Sequence, residues 1–371
     1  MRKPQLNRGV LFNHLPEIMM FTSKSFSSES DYILNVSRII KDDPNIGADE
    51  QIFRKIREGR LSDNELIHYL FGESSETPEK LNIHTNSINN NSLGGWYILN
   101  SLLNGFKQSC EDTDLLSYID YLLGLCEVDK KYIEITSKNT TTDYSYLNTF
   151  TEQWLALPCV NFDSGDKKES AQFIIAVVLH WAALFEHFLY LDWPELKDDT
   201  VTDSPPSILA RYTPQISDKK KLLSSVEKFL LEFKKKWART KYSEADIKWT
   251  TLYRDIAKAK KVYSLENQVD PDIESIKKTF LRWRIGGLTI DSFKKNIAVL
   301  DTPYDANNFD SSLLVILFVN AFDTIQKELV SAGIAPEFIV EQFKRYPDYR
   351  RVVTNRYISY CQTGAIEPIL S

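Results

Sequence analysis

The sequence predicts a mainly α protein: multi-helical, with two helical lobes built from αα-hairpins and little or no β structure. Three observations lead there. Thirteen Gly and fourteen Pro in 371 residues are too few for an all-β chain full of tight turns. Two long apolar stretches, 173–191 and 313–329, have the length and composition of buried helices. Other segments repeat apolar residues every three or four positions, the period of a helix with one buried face.

Along the chain, Phe53-x3-Arg57-x-Gly59-x-Leu61-Ser62 reads as a helix ended by Gly59 and a second helix capped by Ser62. Glu65 completes a capping box with Ser62, and Leu61 can staple onto Leu66. The polar stretch 72–91 reads as a loop. Lys131–Thr136 (KYIEIT) alternates with the period of a strand and is the one strand candidate. The run 173–191 (FIIAVVLHWAALFEHFLYL) is long enough to cross a bilayer, but Glu186 alone would cost a few kcal/mol in lipid. A core helix of a large helical protein is expected instead, with no transmembrane segment.

Residues 193–217 hold four prolines and read as a domain boundary. From 218 to 241, Leu222, Val226, Phe229, Leu230, Phe233 and Trp237 form one helical stripe, with Lys221, Lys228, Lys235 and Arg239 opposite. A further basic helix is expected over 243–263, and Asp270-Pro271 is read as cap and first turn of the next. The corner Phe280-x3-Arg284-x-Gly286-x-Leu288-Thr289 echoes the one at Phe53, with Leu288 stapling onto Phe293. Good hairpin corners converge on Gly, Leu and Ser/Thr, and a repeat array needs three or more copies. Asp310 is expected to cap the 313–329 helix and Gly333 to end it. Pro336 opens another helix, and 348–361 is the last.

Charge divides the chain. Residues 1–217 carry 19 Lys+Arg against 31 Asp+Glu, and residues 218–371 carry 26 against 20. The reading is an acidic helical domain, 1–217, around the buried helix 173–191, and a basic one, 218–371, around 313–329. A split of this size points the basic half toward something anionic: nucleic acid, a membrane surface or the acidic half itself.

Cys110, Cys126, Cys159 and Cys361 lie far apart, with no CxxC or Cys/His pairing. That spacing fits neither a disulfide framework nor a structural zinc site and points to a reducing cytoplasm. The N-terminal sequence has no uninterrupted apolar core and no small-residue cleavage site, so no secretory signal is expected.

Three constellations bear on chemistry. His180, Glu186 and His187 share the apolar helix and are candidate catalytic residues, because burial perturbs acid–base groups. Two histidines seven residues apart are too far separated for a helical zinc motif, so neither metal nor cofactor is expected; core histidines are the plainer reading. Acidic-x-Lys pairs at Glu195-Leu196-Lys197 and Asp246-Ile247-Lys248, and the Arg8–His14 spacing, resemble nuclease pieces but arise freely in this composition. No G-x-S-x-G, Walker A, G-x-G-x-x-G or H-E-x-x-H motif is present.

The strongest pattern is basic residues interleaved with Trp and Tyr. It makes Lys221, Lys228, Lys235, Arg239, Lys241, Arg282, Arg284, Lys294, Arg350 and Arg351 candidate nucleic-acid or anion contacts. The competing reading is a set of helices that bury their aromatics and solvate their lysines. The expected function is a non-catalytic helical subunit or adaptor of a larger cytoplasmic assembly, acidic lobe for a protein partner and basic lobe for an anionic one. Direct DNA or RNA binding is the first alternative. An enzyme with a buried His/Glu site, hydrolase or nuclease, is the second.

Overall fold

The computed structural model describes residues 25, 34, 47, 49–57, 103–104, 107, 110–138, 166–192, 207–218, 221–263, 272–297, 300 and 306–367. The chain is mainly α. Its helices are α1 (Glu50–Arg57), α2 (Thr113–Lys138), α3 (Lys167–Asp192), α4 (Ser225–Tyr242), α5 (Trp249–Tyr263), α6 (Ile273–Arg282), α7 (Ile290–Ile297), α8 (Ala306–Ser331), α9 (Pro336–Phe343) and α10 (Tyr346–Thr363). A 3-10 turn at Leu209–Tyr212 and a two-residue antiparallel pair, β1 (Gln215–Ile216) with β2 (Leu222–Leu223), precede α4. The corner at 58–66, the loop at 72–91 and the Asp270-Pro271 cap lie outside the described residues.

Contacts divide the chain into two compact units, and the division differs from the charge boundary. Unit 1 takes 1–20, 28–205 and 346–371; unit 2 takes 21–27 and 206–345. The last helix, from the basic half, therefore packs with α2 and α3 of the acidic half. Counted by unit, unit 2 carries 25 Lys+Arg against 18 Asp+Glu and unit 1 carries 20 against 33. The opposition of charge is sharper by unit than by sequence half.

In unit 1, α3 is buried along nearly all its length, from Ala171 to Tyr190. By length and composition alone it could cross a bilayer, yet 67% of its most apolar window is buried inside the protein. Asp112 and Asp166 start α2 and α3 by accepting first-turn N–H bonds, at 2.9 and 2.8 Å. Tyr118 of α2 donates to the Leu184 carbonyl at 2.7 Å, and Tyr357 of α10 donates to the Asp114 carbonyl at 3.1 Å. Gly124 admits Ile366, since a Cβ there would lie 2.5 Å from the Ile366 Cδ1. The strand expected at Lys131–Thr136 is instead the last part of α2. A helix already nucleated over 113–130 extends through a short alternating run at little cost.

In unit 2, α4 places Val226, Phe229, Leu230, Phe233 and Trp237 in the core, as the stripe requires. The helix starts at Ser225, not at 218. Ser224 and Glu227 form a capping box, and upstream Ser217 closes the β1–β2 turn through its backbone and hydroxyl bonds with Lys221. Leu222 thus belongs to β2. At the other end Ser243 is the left-handed C-cap of α4, so α5 begins at Trp249 rather than near 243. Asp272 caps α6 by accepting the Glu274 N–H at 3.0 Å.

The corner at Phe280–Thr289 forms as the sequence predicts. A π turn, Trp283–Gly287, closes α6, with Gly286 at φ +111°. Thr289 caps α7, and Leu288 and Phe293 are both buried. Helix α8 begins at Ala306, a turn before the expected Asp310 cap, which therefore falls inside the helix. Its end is as predicted. Gly333 at φ +86° lets its own N–H reach the Val330 carbonyl and that of Ile334 reach Leu329, a Schellman closure. Ser224→Ala should lower stability by about 1 kcal/mol, read as a reduced urea midpoint at unchanged slope.

Candidate functional site

The three residues singled out on α3 sit in the packing between α3 and α10. Glu186 is fully buried and accepts a hydrogen bond from the Tyr346 hydroxyl at 2.6 Å. The Arg350 Nε stands 3.3 Å from the same carboxylate, and its guanidinium lies 5.0 Å above the Tyr190 ring. A second Arg350 nitrogen donates to the Ala183 carbonyl at 3.4 Å. His187 Nδ1 is 3.5 Å from the Thr354 hydroxyl, with the Tyr118 and Tyr357 rings 4.9 and 5.1 Å away. Chemically this is a satisfied ion pair inside an aromatic cluster.

His180 differs. It is 1% exposed, meets Tyr349 edge-on at 6.2 Å, and neither ring nitrogen has a hydrogen-bond partner among the described residues. Burial first, then the nearby Arg356 charge, push its pKa down to about 3, so the ring is neutral. Among the described residues, no group of three His, Cys, Asp or Glu could hold a metal ion. Asp246 of the nuclease-like triplet pairs with Lys234 at 2.8 Å, and Lys234 also donates to the Ile247 carbonyl.

The ten cationic candidates separate by environment. Arg350 is the buried partner of Glu186 and cannot also meet solvent anions, which removes it from the set. Arg351 pairs with Asp348 on the surface, and Lys235 and Arg239 both face Glu232. Lys241 lies 3.5 Å from Asp255 and 4.9 Å above Trp237. Arg284 stacks 4.6 Å over Trp249. Lys228 is half-buried, while Lys221 and Lys294 are exposed. The interleaved aromatics are mostly internal. Trp237 donates to Asp255, Trp283 donates to Ser292, and Tyr346, Tyr349 and Tyr357 are buried.

Arg282 stands apart. It lines a cleft of about 590 Å³ in unit 2, together with Lys260 of α5 and Lys295 of α7. The floor is a chain of bonds: Trp283 Nε1 donates to Ser292 Oγ, Asn296 Nδ2 to the Ser292 carbonyl, and Lys260 Nζ to Asn296 Oδ1 at 2.6 Å. Burial lowers the Lys260 pKa, so its charge is incompletely solvated. Arg282 and Lys295 form no ion pair among the described residues.

Reading the sequence selected Lys294 and missed Lys295, Lys260 and Asn296. A helical wheel holds the missed signal for Lys295: Thr289, Ser292 and Asn296 share a face three to four residues apart, and Lys295 borders it. Lys260 is 36 residues from Asn296, and no local pattern joins them.

Removing one member of the buried pair should be costly. Arg350→Ala is expected to lose about 3–5 kcal/mol in urea unfolding, against under about 0.5 kcal/mol for the exposed Arg351→Ala. The unpartnered ring predicts the opposite at His180: His180→Leu should be neutral or stabilising by about 1 kcal/mol at pH 7.

That residue also sets a pH dependence. Its folded pKa is depressed, so the unfolded chain takes up the proton first as pH falls below 6.5. The His180 contribution is complete above pH 6.5 and declines by roughly 5 kcal/mol as pH approaches 3. Chemical denaturation of the wild type and His180→Leu across that range should show the variant losing less stability toward acid. No family model, curated protein or solved structure matches this chain.

Proposed function

We propose that the chain is a non-catalytic helical subunit of a larger cytoplasmic assembly, in which unit 2 engages an anionic partner and the acidic unit 1 docks a protein. One observation carries the reading. Lys260, Arg282 and Lys295, from three different helices, converge on a single cleft of the positively charged unit. The enclosure of His180 and the neutralisation of Glu186 by Arg350 and Tyr346 support a structural role for the most conspicuous acid–base residues. The cytoplasmic setting rests on four well-separated cysteines.

Direct DNA or RNA binding is the second reading, favoured by Arg282 and Lys295 having no ion-pair partner among the described residues. Burial of Trp237, Trp283 and Tyr346 weighs against base stacking and leaves phosphate contacts as the available mode. Fluorescence anisotropy of a labelled acidic peptide, single-stranded DNA and RNA, titrated with the full chain across salt, separates these readings. At least one probe should bind with log K falling as log salt rises, and Arg282→Glu with Lys295→Glu should weaken it at least tenfold. Arg351→Glu, in unit 1, should leave it unchanged. Tighter binding of polynucleotide than of acidic peptide would put the second reading first. No salt-sensitive binding of any probe would overturn both.

A further inference from the structure

The cleft is not uniformly cationic, and its remaining lining narrows the ligand. Against the three cations stand two carboxylates, Asp272 and Asp291, and the side-chain hydroxyls of Ser275, Thr279, Thr289 and Ser292. Asp272 spends one oxygen on the first turn of α6. Asp291 pairs with no cation among the described residues. An anion without hydroxyl groups would meet two like charges there with nothing to donate to them. A purely cationic or neutral ligand would leave the excess of cations, three against two carboxylates, without a counter-charge. Among the described residues no aromatic side chain lines the cleft, and Ile276 is its one aliphatic side chain, so they offer a nucleobase no platform. What fits is a ligand with one concentrated negative charge and several hydroxyl groups. The anion takes the cations, and the hydroxyls donate to the carboxylates and exchange bonds with Ser and Thr.

We propose that this cleft binds a sugar phosphate, with Lys260, Arg282 and Lys295 on the phosphate and Asp272 and Asp291 on the sugar hydroxyls. The site is built rather than incidental. Lys260 is half-buried and held by Asn296, itself 7% exposed and tied back to Ser292, whose hydroxyl is fixed by Trp283. A fixed, partly desolvated ammonium binds phosphate more tightly than a free surface lysine, because less side-chain freedom and hydration is lost on binding. The volume, about 590 Å³, falls within the range of small-molecule sites. The same chemistry occurs free or as the ribose–phosphate backbone of RNA, where the 2′-hydroxyl would serve the carboxylates. This inference rests on the reading of unit 2 as an anion-binding unit and adds the hydroxyl requirement to it.

The test is isothermal titration of the full chain with ribose 5-phosphate, 2-deoxyribose 5-phosphate and inorganic phosphate. Ribose 5-phosphate should bind at least tenfold more tightly than inorganic phosphate and measurably more tightly than the deoxy sugar. Arg282→Gln and Lys295→Gln, both at exposed positions, should each weaken it at least tenfold while circular dichroism stays unchanged. Asp291→Asn should erase the preference for the sugar and retain phosphate affinity. Displacement of ribose 5-phosphate by oligouridylate but not by its deoxy counterpart would assign the sugar to an RNA backbone; no displacement would assign it to a free metabolite. Equal affinity for inorganic phosphate and ribose 5-phosphate would overturn the inference and leave unit 2 an anion binder. Absence of ribose 5-phosphate binding, with the salt-sensitive polyanion binding intact, would overturn it equally.

Discussion

Every polar group carried into the core on an apolar helix must find a partner there, and the packing of both units follows from that constraint. Desolvating an unpaired carboxylate costs several kcal/mol, more than most single contacts return. On α3, Glu186 meets that demand through Arg350 and Tyr346, both on α10. On α8, Asn320 donates to the Ser25 hydroxyl and the Leu288 carbonyl, and Gln326 donates to Ser225. Asp323 is held by Lys327 and lies against the first turn of α4, although burial still raises its pKa above the usual carboxylate range. Apart from Lys327, on α8 itself, each partner comes from an element distant in sequence or from the start of the neighbouring helix. The buried polar groups therefore select one register of packing, which greasy surfaces alone do not. His180 is the exception on α3: it contributes volume and a ring contact, and its nitrogens remain unpartnered among the described residues.

The same constraint decides what is left for the surface. Aromatics that looked like stacking platforms for bases are consumed in the core, where Phe280, Trp283, Phe293 and Phe229 form a chain of ring contacts 4.5 to 6.0 Å apart. Many cations beside them are consumed too, by Glu186, Glu232, Asp246 and Asp255. The exposed pair of Lys235 with Glu232 adds little stability, and all of these pairs cancel local field. A raw count of Lys and Arg therefore overstates the binding potential of unit 2. The cations that matter are those without a carboxylate partner among the described residues, and two of them, Arg282 and Lys295, border one cleft.

Much of the helical architecture was legible because it is written locally. The α4 stripe, the Leu288–Thr289 corner, Gly333 and Pro336 each act over a few residues, and each appears where the pattern puts it. Two misplaced boundaries share one cause, a stronger cap close by. Ser224 with Glu227 overrode a start at 218, and Ser243, expected to open the next helix, instead caps the end of α4 in the left-handed region. The alternation at 131–136 was too short to outweigh helix already formed ahead of it. The partnership of Arg350 with Glu186 spans 164 positions, and only the packed chain joins them. Lys260 and Asn296 are hidden for the same reason, so the cleft was the least legible feature of all.

How that cleft comes to exist is itself a local matter. Helix α6 must end and the chain must turn sharply for Arg282 on one helix and Thr289 and Ser292 on the next to border the same space. The π turn does this with two glycines in different roles. Gly286 adopts φ +111°, a conformation L side chains rarely enter. Gly287 is needed for proximity: a Cβ there would lie 2.8 Å from the Arg282 Cγ and 3.1 Å from its carbonyl oxygen. Lys327 donates to the Arg284 carbonyl from below and secures the turn to α8. A side chain at 287 would push Arg282 out of place even if the fold survived. The Gly286-Gly287 pair thus fixes both the direction of the chain and the position of Arg282.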